Sequence, residues 1–134
     1  ILKEFRKGHS ESDVAVIIPE DSVVFMGDLL FHQRHPFLAE GNPDSLYNHL
    51  NYFKTQSKLS VVIPGHGPLA SKSDIDTLQE YIRFIQQTAA NAIKHNTPDA
   101  EVLQQQLPAP YNSWLLKRFF RPNYLSVKRG LKDK

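Results

Sequence analysis

Cysteine is absent from this chain. Its absence excludes disulfides, thiolate metal sites and a cysteine nucleophile, so any metal ion would have to be bound by histidine, aspartate or glutamate. No apolar run approaches the roughly 20 residues of a membrane-spanning helix, and we expect no membrane segment in these residues. The formal net charge is small, only +2, and so gives no case for nucleic acid as a partner.

The 134 residues and the hydrophobic content of 40% are those of one modest globular domain. The chain starts at Ile1 rather than at a methionine, and its first residues resemble the middle of a domain. We therefore expect a fragment or a processed product. For the same reason, the lack of a signal sequence leaves the cellular compartment open.

The pattern of apolar residues predicts an α/β fold. Residues 13–18 are apolar on both alternating faces, which predicts a strand buried on both sides, and residues 23–26 predict a second strand, antiparallel to it and ending at Gly27. A helix capped by Asn42 or Asp44 should follow and end near Ser57. Residues 61–64 then predict a third strand, so that residues 23–64 form a crossover unit.

The second half of the chain predicts helices. A capping box at residues 73–76 opens a long amphipathic helix that ends near Asn96. A helix from about residue 98 to residue 107 should follow, then two short helices at 111–120 and 123–131 that Pro122 separates. We expect residues 1–96 to form the main domain and residues 97–134 a helical extension packed on it.

Three polar residues lie at ends of predicted strands or in loops: His9, Asp28 and His66. Two imidazoles and a carboxylate suit Zn²⁺, Fe²⁺ or Mn²⁺. Their long spacings are not a local metal motif, and a loop histidine with a turn-capping aspartate is the alternative interpretation. Gly65 and Gly67 flank His66, which would let a ligand approach closely and let the backbone adopt unusual angles.

The residues around these three positions carry a resemblance to a known family. Three stretches resemble, in the same order, the last three metal motifs of the metallo-β-lactamase superfamily: Gly8-His9-Ser10-x-x-Asp13, Val24-Phe25-Met26-Gly27-Asp28-Leu29-Leu30-Phe31 and Ile63-Pro64-Gly65-His66-Gly67-Pro68. The residues from Arg34 to Pro43 and the long helix are similar to the subgroup of glyoxalase II and the quinoprotein relay proteins. The resemblance implies the C-terminal half of an αββα sandwich with a helical C-terminal extension.

The resemblance also implies roles for these residues. His9 would bind the first metal, Asp28 would bridge two metals as the catalytic carboxylate, and His66 would complete the second metal site. Asp13 would support the turn that carries His9. Two zinc ions, or iron or manganese, would bind a water, lower its pKa and polarise a substrate carbonyl. Arg34 is the best candidate to hold a carboxylate of a small-molecule substrate, whereas His32 and His35 beside it are expected in a solvated loop.

The signature His-x-His-x-Asp-His of the family is absent, together with the N-terminal half that would carry it. We therefore expect this chain alone to bind zinc weakly and to hydrolyse nothing; its partner would be the missing half or a second copy of itself. The parent protein would be a metal-dependent hydrolase of a thioester, a lactam or a related carbonyl compound. The alternatives are a mononuclear iron oxygenase and a non-catalytic assembly module, since half a sandwich leaves an apolar sheet face uncovered.

Overall fold

A computed structural model describes residues 1–134 as one four-stranded sheet and four α-helices. The strands are adjacent in chain order, the first three antiparallel and the last two parallel. The strands are β1 (Leu2–Arg6), β2 (Ser12–Ile18), β3 (Val23–Phe31) and β4 (Val61–His66). The helices are α1 (Pro43–Lys54), α2 (Lys72–His95), α3 (Asp99–Gln104) and α4 (Phe120–Lys132). None of these helices is long and apolar enough to cross a membrane.

The first half of the chain follows the predicted order of elements. The antiparallel pairing of β2 with β3 and the crossover through α1 to β4 are confirmed. Asn42 caps α1, and its side chain accepts a hydrogen bond from the backbone amide of Ser45 at 3.0 Å. α1 ends at Lys54, before the predicted Ser57. Its apolar residues Leu46, Leu50 and Phe53 are fully buried, so the periodicity identified the helix correctly.

β3 is longer than predicted. It continues past Gly27 to Phe31, because β4 keeps pairing with it through two shifts of register. Gly27 has a φ of +53° at the first of these irregularities, a conformation that glycine adopts without strain. Asp28 therefore lies within a bulged strand rather than at a strand end. β1 was not predicted, because Phe5 is its only buried residue and charged residues flank it.

The prediction that β2 is buried on both faces is wrong. Ala15 and Ile17 are buried on the helix-covered face, whereas Val14 is 50% exposed on the opposite face. α1 and α2 cover only one face of the sheet, where their apolar side chains join Val24 and Val62 in one core. The other face is left uncovered along its length.

The helices of the second half differ in detail from the prediction. α2 begins after Ser71 and ends at His95, close to its predicted bounds, while α3 ends at Gln104, three residues short. α4 runs through Pro122 without interruption. Pro122 lies in the first turn of α4, where a missing N–H costs no intrahelical hydrogen bond, so it does not separate two helices. Phe120 of α4 packs against Phe84 of α2 with the two rings tilted, which attaches the C-terminal segment to α2.

Candidate metal centre

Asp28 lies between the two histidines that the motifs predicted. Its Oδ1 is 3.0 Å from Nε2 of His66, and its Oδ2 is 3.8 Å from Nδ1 of His9. The three residues come from β3, the end of β4 and the turn between β1 and β2. The folded chain thus brings His9 and His66 to the same carboxylate, although they are 57 positions apart in the sequence. All three are accessible to solvent, since their side chains are 18%, 45% and 51% exposed for His9, Asp28 and His66.

Phe31 lies between the two imidazoles. Its ring centroid is 4.4 Å from that of His66 and 5.7 Å from that of His9, both nearly parallel. Phe31 is only 5% exposed, so its ring is a rigid support for both histidines. In the sequence, Phe31 is the last residue of the second motif and has no assigned role. Its spacing from Asp28 gave no signal, because residues three apart in a regular strand lie on opposite faces; Phe31 contacts His66 because the two residues pair across β3 and β4.

Asp13 holds the turn that carries His9. Its Oδ2 accepts hydrogen bonds from the backbone amides of His9 and Ser10 at 2.9 and 3.1 Å, and its Oδ1 accepts one from the Ser10 hydroxyl at 2.9 Å. The residue is buried, so these bonds are shielded from water. Asp13 therefore sets the conformation of the His9 turn, which is the position the resemblance assigned to it.

Arg34 pairs with no carboxylate of the chain. Its only hydrogen bond is a long one, 3.4 Å from Nη1 to the backbone oxygen of His32, and its side chain is partly buried. It has no salt bridge. A guanidinium with free donors is able to bind a substrate carboxylate. That role stays a prediction.

The expectation that His32 and His35 lie in a solvated loop is wrong for both. His35 is fully buried, and its Nε2 donates to the Tyr111 carbonyl at 3.0 Å, which leaves Nδ1 to accept the hydroxyl of Tyr81 at 2.8 Å. The side chain of His32 is only 14% exposed and contacts Pro68 and Asp74. The sequence carried no signal for these contacts, because every partner is distant along the chain.

Burial lowers the pKa of His35. The hydrogen bond that its imidazole donates to the Tyr111 carbonyl opposes this effect, and the neighbouring charge of Lys117 adds to it. The folded protein therefore holds this imidazole neutral, while the unfolded chain takes up a proton below its ordinary pKa of about 6.5. Stability from this group should be present above about pH 6.5 and decline as the pH falls, by up to about 1.4 kcal/mol per pH unit. Urea unfolding measures the free energy of unfolding at about pH 7.5 and about pH 5. This free energy should fall less between the two pH values in His35→Gln than in the wild type, and an equal fall would contradict the role of His35.

The space around Gly65 and Gly67 is filled by protein rather than left for a ligand. A Cβ at Gly65 would lie 2.5 Å from the backbone oxygen of Gly27, and one at Gly67 would lie 2.1 Å from that of His32. Gly67 has a φ of +113°, so the expectation of an unusual backbone angle is confirmed there. These glycines allow neighbouring strands and loops to approach closely. The expectation that they leave room for a ligand is wrong.

The donor set has the right chemistry for zinc but too few ligands. Two ligand atoms that each lie about 2.1 Å from a tetrahedral zinc ion are roughly 3.4 Å from each other. The 3.0 Å between Oδ1 of Asp28 and Nε2 of His66 is close to that separation. Each oxygen of Asp28 faces one histidine only, and no group of three or more His, Asp or Glu side chains in the chain converges on one point. The residues present therefore do not complete a four-coordinate metal site by themselves.

No protein-family model matches the sequence. Solved structures do resemble the chain. A metallo-β-lactamase from Pontibacter korlensis is 22% identical with a TM-score of 0.55, over 61% of this chain and 40% of that one. A stereoselective inverting sec-alkylsulfatase from Pseudomonas sp. is 13% identical with a TM-score of 0.69, over 96% of this chain and 23% of that one. A metallo-β-lactamase family protein from Thermus thermophilus is 15% identical with a TM-score of 0.69, over 98% of this chain and 44% of that one.

The chain thus spans less than half the length of the structures that it resembles. Identities this low concern the fold alone. The match covers almost the whole chain in two of the three comparisons, including the C-terminal helical segment. The glyoxalase II-like subgroup stays a prediction. The sheet, the helices that cover one of its faces and the C-terminal helix together form part of a metallo-β-lactamase fold.

Proposed function

We propose that this chain contributes His9, Asp28 and His66 to the metal centre of a hydrolase. The observation that carries the proposal is that one carboxylate faces two imidazoles, each presented by a different loop or strand end of a metallo-β-lactamase-type sheet. The remaining ligands would come from another segment or another chain. The metal, zinc in our proposal, would supply a nucleophilic water and polarise the carbonyl of a thioester, a lactam or a related substrate.

Each residue of the chain would have a distinct task in that centre. Asp28 would hold the metal through its carboxylate, which faces both imidazoles. Phe31 would keep the imidazoles of His9 and His66 parallel, and Asp13 would keep the His9 turn closed through its hydrogen bonds to the turn's amides. Arg34 would bind the carboxylate of the substrate.

Calorimetric titration with zinc tests the metal centre. The chain should bind zinc weakly, because the ligand set is incomplete, and Asp28→Ala should reduce the affinity by at least about tenfold. Asp21→Ala is the matched control, since Asp21 is an exposed carboxylate in the turn between β2 and β3, and it should bind zinc as the wild type does. Equal affinity of wild type and Asp28→Ala would contradict the proposed site, and tight binding of two ions would contradict its incompleteness.

The metal content of the complete protein separates the hydrolase from the iron oxygenase of the same superfamily. Two zinc ions per molecule support the hydrolase. One iron ion per molecule supports the oxygenase, in which Asp28 would serve a single ion.

A second candidate function, assembly through the sheet, is favoured by the uncovered face. The strand register aligns Leu2, Val16, Phe25 and Ile63 across all four strands. Several of the residues on this face are exposed although they are large and apolar: Leu2 75%, Val14 50%, Phe25 41% and Val61 37%. Glu4 and Arg6 carry charges at the β1 edge of this face, but the positions on β2, β3 and β4 are apolar, and an exposed apolar surface associates in water. We propose that two copies of the chain pack these faces together when no other segment covers them.

Phe25→Lys tests the assembly proposal, because it places a charge in the middle of the apolar face. Light scattering should show a dimer for the wild type and a monomer for Phe25→Lys. Leu69→Lys is the control, since Leu69 is 68% exposed but lies outside the sheet, and it should remain a dimer. A monomeric wild type at every concentration would contradict self-association.

A further inference from the structure

His32 makes three contacts around the turn that follows β4. Its backbone amide donates to the carbonyl of His66 at 2.9 Å. Its Nδ1 donates to the carbonyl of Pro68 at 3.1 Å, and its Nε2 lies 3.2 Å from Oδ1 of Asp74. One residue at the end of β3 thus contacts both sides of Gly67 and the first turn of α2.

The turn needs such an attachment. His66 is the last residue of β4, and its ring is half exposed, so the direction of the imidazole depends on where the backbone holds it. The next attachment along the chain is the pair of backbone hydrogen bonds between Ala70 and Val62. Between these points Leu69 is 68% exposed. Contacts from His32 therefore hold the turn where it is otherwise open to water.

The other end of the contact is rigid. Asp74 also accepts a hydrogen bond from the backbone amide of Ser71 at 2.8 Å through its second oxygen, which ties it to the start of α2. α2 is anchored by buried residues of its first turns, Ile75 and Leu78. The imidazole of His32 thus links the His66 turn to the start of α2, which buried side chains hold against the sheet.

We propose that His32 is a positioning residue: its imidazole closes the turn after β4 and so directs His66 toward Asp28. The proposal rests on the proposed metal centre, because its functional consequence is metal affinity. A fixed ligand loses less freedom on binding, and partners of ligands typically change metal affinity by about 10- to 100-fold. The hydrogen bond to Pro68 is the essential one, since Pro68 belongs to the turn itself.

Three variants of the 134-residue chain separate the contacts of His32. His32→Ala removes both ring contacts. His32→Asn places an amide nitrogen close to the position of Nδ1 and keeps the donor to Pro68, whereas His32→Gln places one close to Nε2 and keeps only the contact with Asp74. His95→Ala is the matched control, because His95 is exposed and bonds only within its own helix.

Two readouts are measured by NMR on each variant. The first is zinc affinity, followed through the ring resonances of His66. The second is hydrogen exchange of the backbone amide at position 32, which bonds the His66 carbonyl in every variant and is corrected for the intrinsic rate of each residue type. Exchange of this amide reports whether the turn is closed, independently of metal.

We expect His32→Ala to weaken zinc binding about tenfold and to speed exchange at position 32 about tenfold. His32→Asn should restore both to within about threefold of the wild type, and His32→Gln should not. Exchange in His32→Ala equal to that of the wild type, or rescue by glutamine but not asparagine, would overturn the role of His32. A wild-type chain that binds no zinc, with exchange behaving as expected, would overturn the proposed metal centre and leave the positioning of the turn in place.

Discussion

Replacing Asn123 with alanine is expected to lower the free energy of unfolding by about 3 to 5 kcal/mol. Asn123 is fully buried, and its Oδ1 accepts the backbone amide of Leu38 at 2.7 Å. Its Nδ2 donates to the carbonyl of Pro36 at 2.6 Å and to the hydroxyl of Tyr81 at 3.3 Å. Alanine would leave the buried Leu38 amide and Pro36 carbonyl without partners, each at a cost of about 1 to 3 kcal/mol, in addition to a cavity.

The size of the effect follows from what Asn123 connects. It joins α4 to the loop after β3 and, through Tyr81, to α2. The same hydroxyl of Tyr81 donates to His35, so the chain of hydrogen bonds runs from α4 to Tyr111 without a gap. Networks of this kind lose more than one bond when one member is removed.

Urea unfolding monitored by the fluorescence of the single tryptophan measures the effect. Asn112→Ala is the control, because Asn112 is exposed, and it should change stability by less than about 0.5 kcal/mol. A loss of less than about 1 kcal/mol for Asn123→Ala would show that water replaces its bonds, which the burial of the site argues against.

The second large effect is expected for Gly65→Ala. The new Cβ would lie 2.5 Å from the backbone carbon and oxygen of Gly27 and 2.9 Å from Oδ1 of Asp28. Backbone atoms of a strand cannot move aside as a flexible side chain can, so β4 would have to separate from β3. We expect a loss of about 2 to 3 kcal/mol in stability and a loss of the contact between His66 and Asp28.

Gly130→Ala is the matched control with the opposite sign. Gly130 lies inside α4, and a Cβ there would meet nothing within 4 Å. Alanine should therefore stabilise the protein by about 0.5 to 1 kcal/mol, since it restricts the unfolded chain and suits a helix. Thermal unfolding and zinc titration of both variants make the comparison. A Gly65→Ala variant as stable as the wild type would show that the two strands have room to separate there.

The sequence by itself determined the elements whose local chemistry and apolar period agree. Leu46, Leu50 and Phe53 follow the period of a buried helix face, and Asn42 with Pro43 is a start signal that needs no tertiary partner. The order of the motifs around His9, Asp28 and His66 predicted a metallo-β-lactamase fold, and the structural comparisons show part of that fold. The helix was predictable because its signals are close together in the chain, and the fold was predictable because each motif is short and only the order of the motifs is long-range.

Tertiary structure alone decided the rest. β3 extends to Phe31 because β4 continues to pair with it, and β1 forms because β2 offers it an edge. His35 is buried and His32 is bound because Tyr111, Tyr81, Pro68 and Asp74 arrive from 36 or more positions away. The exposure of one face of β2 depends on which layers cover the sheet, since its continuous apolar run is the same whether one face is covered or both. Local patterns determine what a segment can form, whereas burial and hydrogen-bond partners depend on contacts that only the folded chain creates.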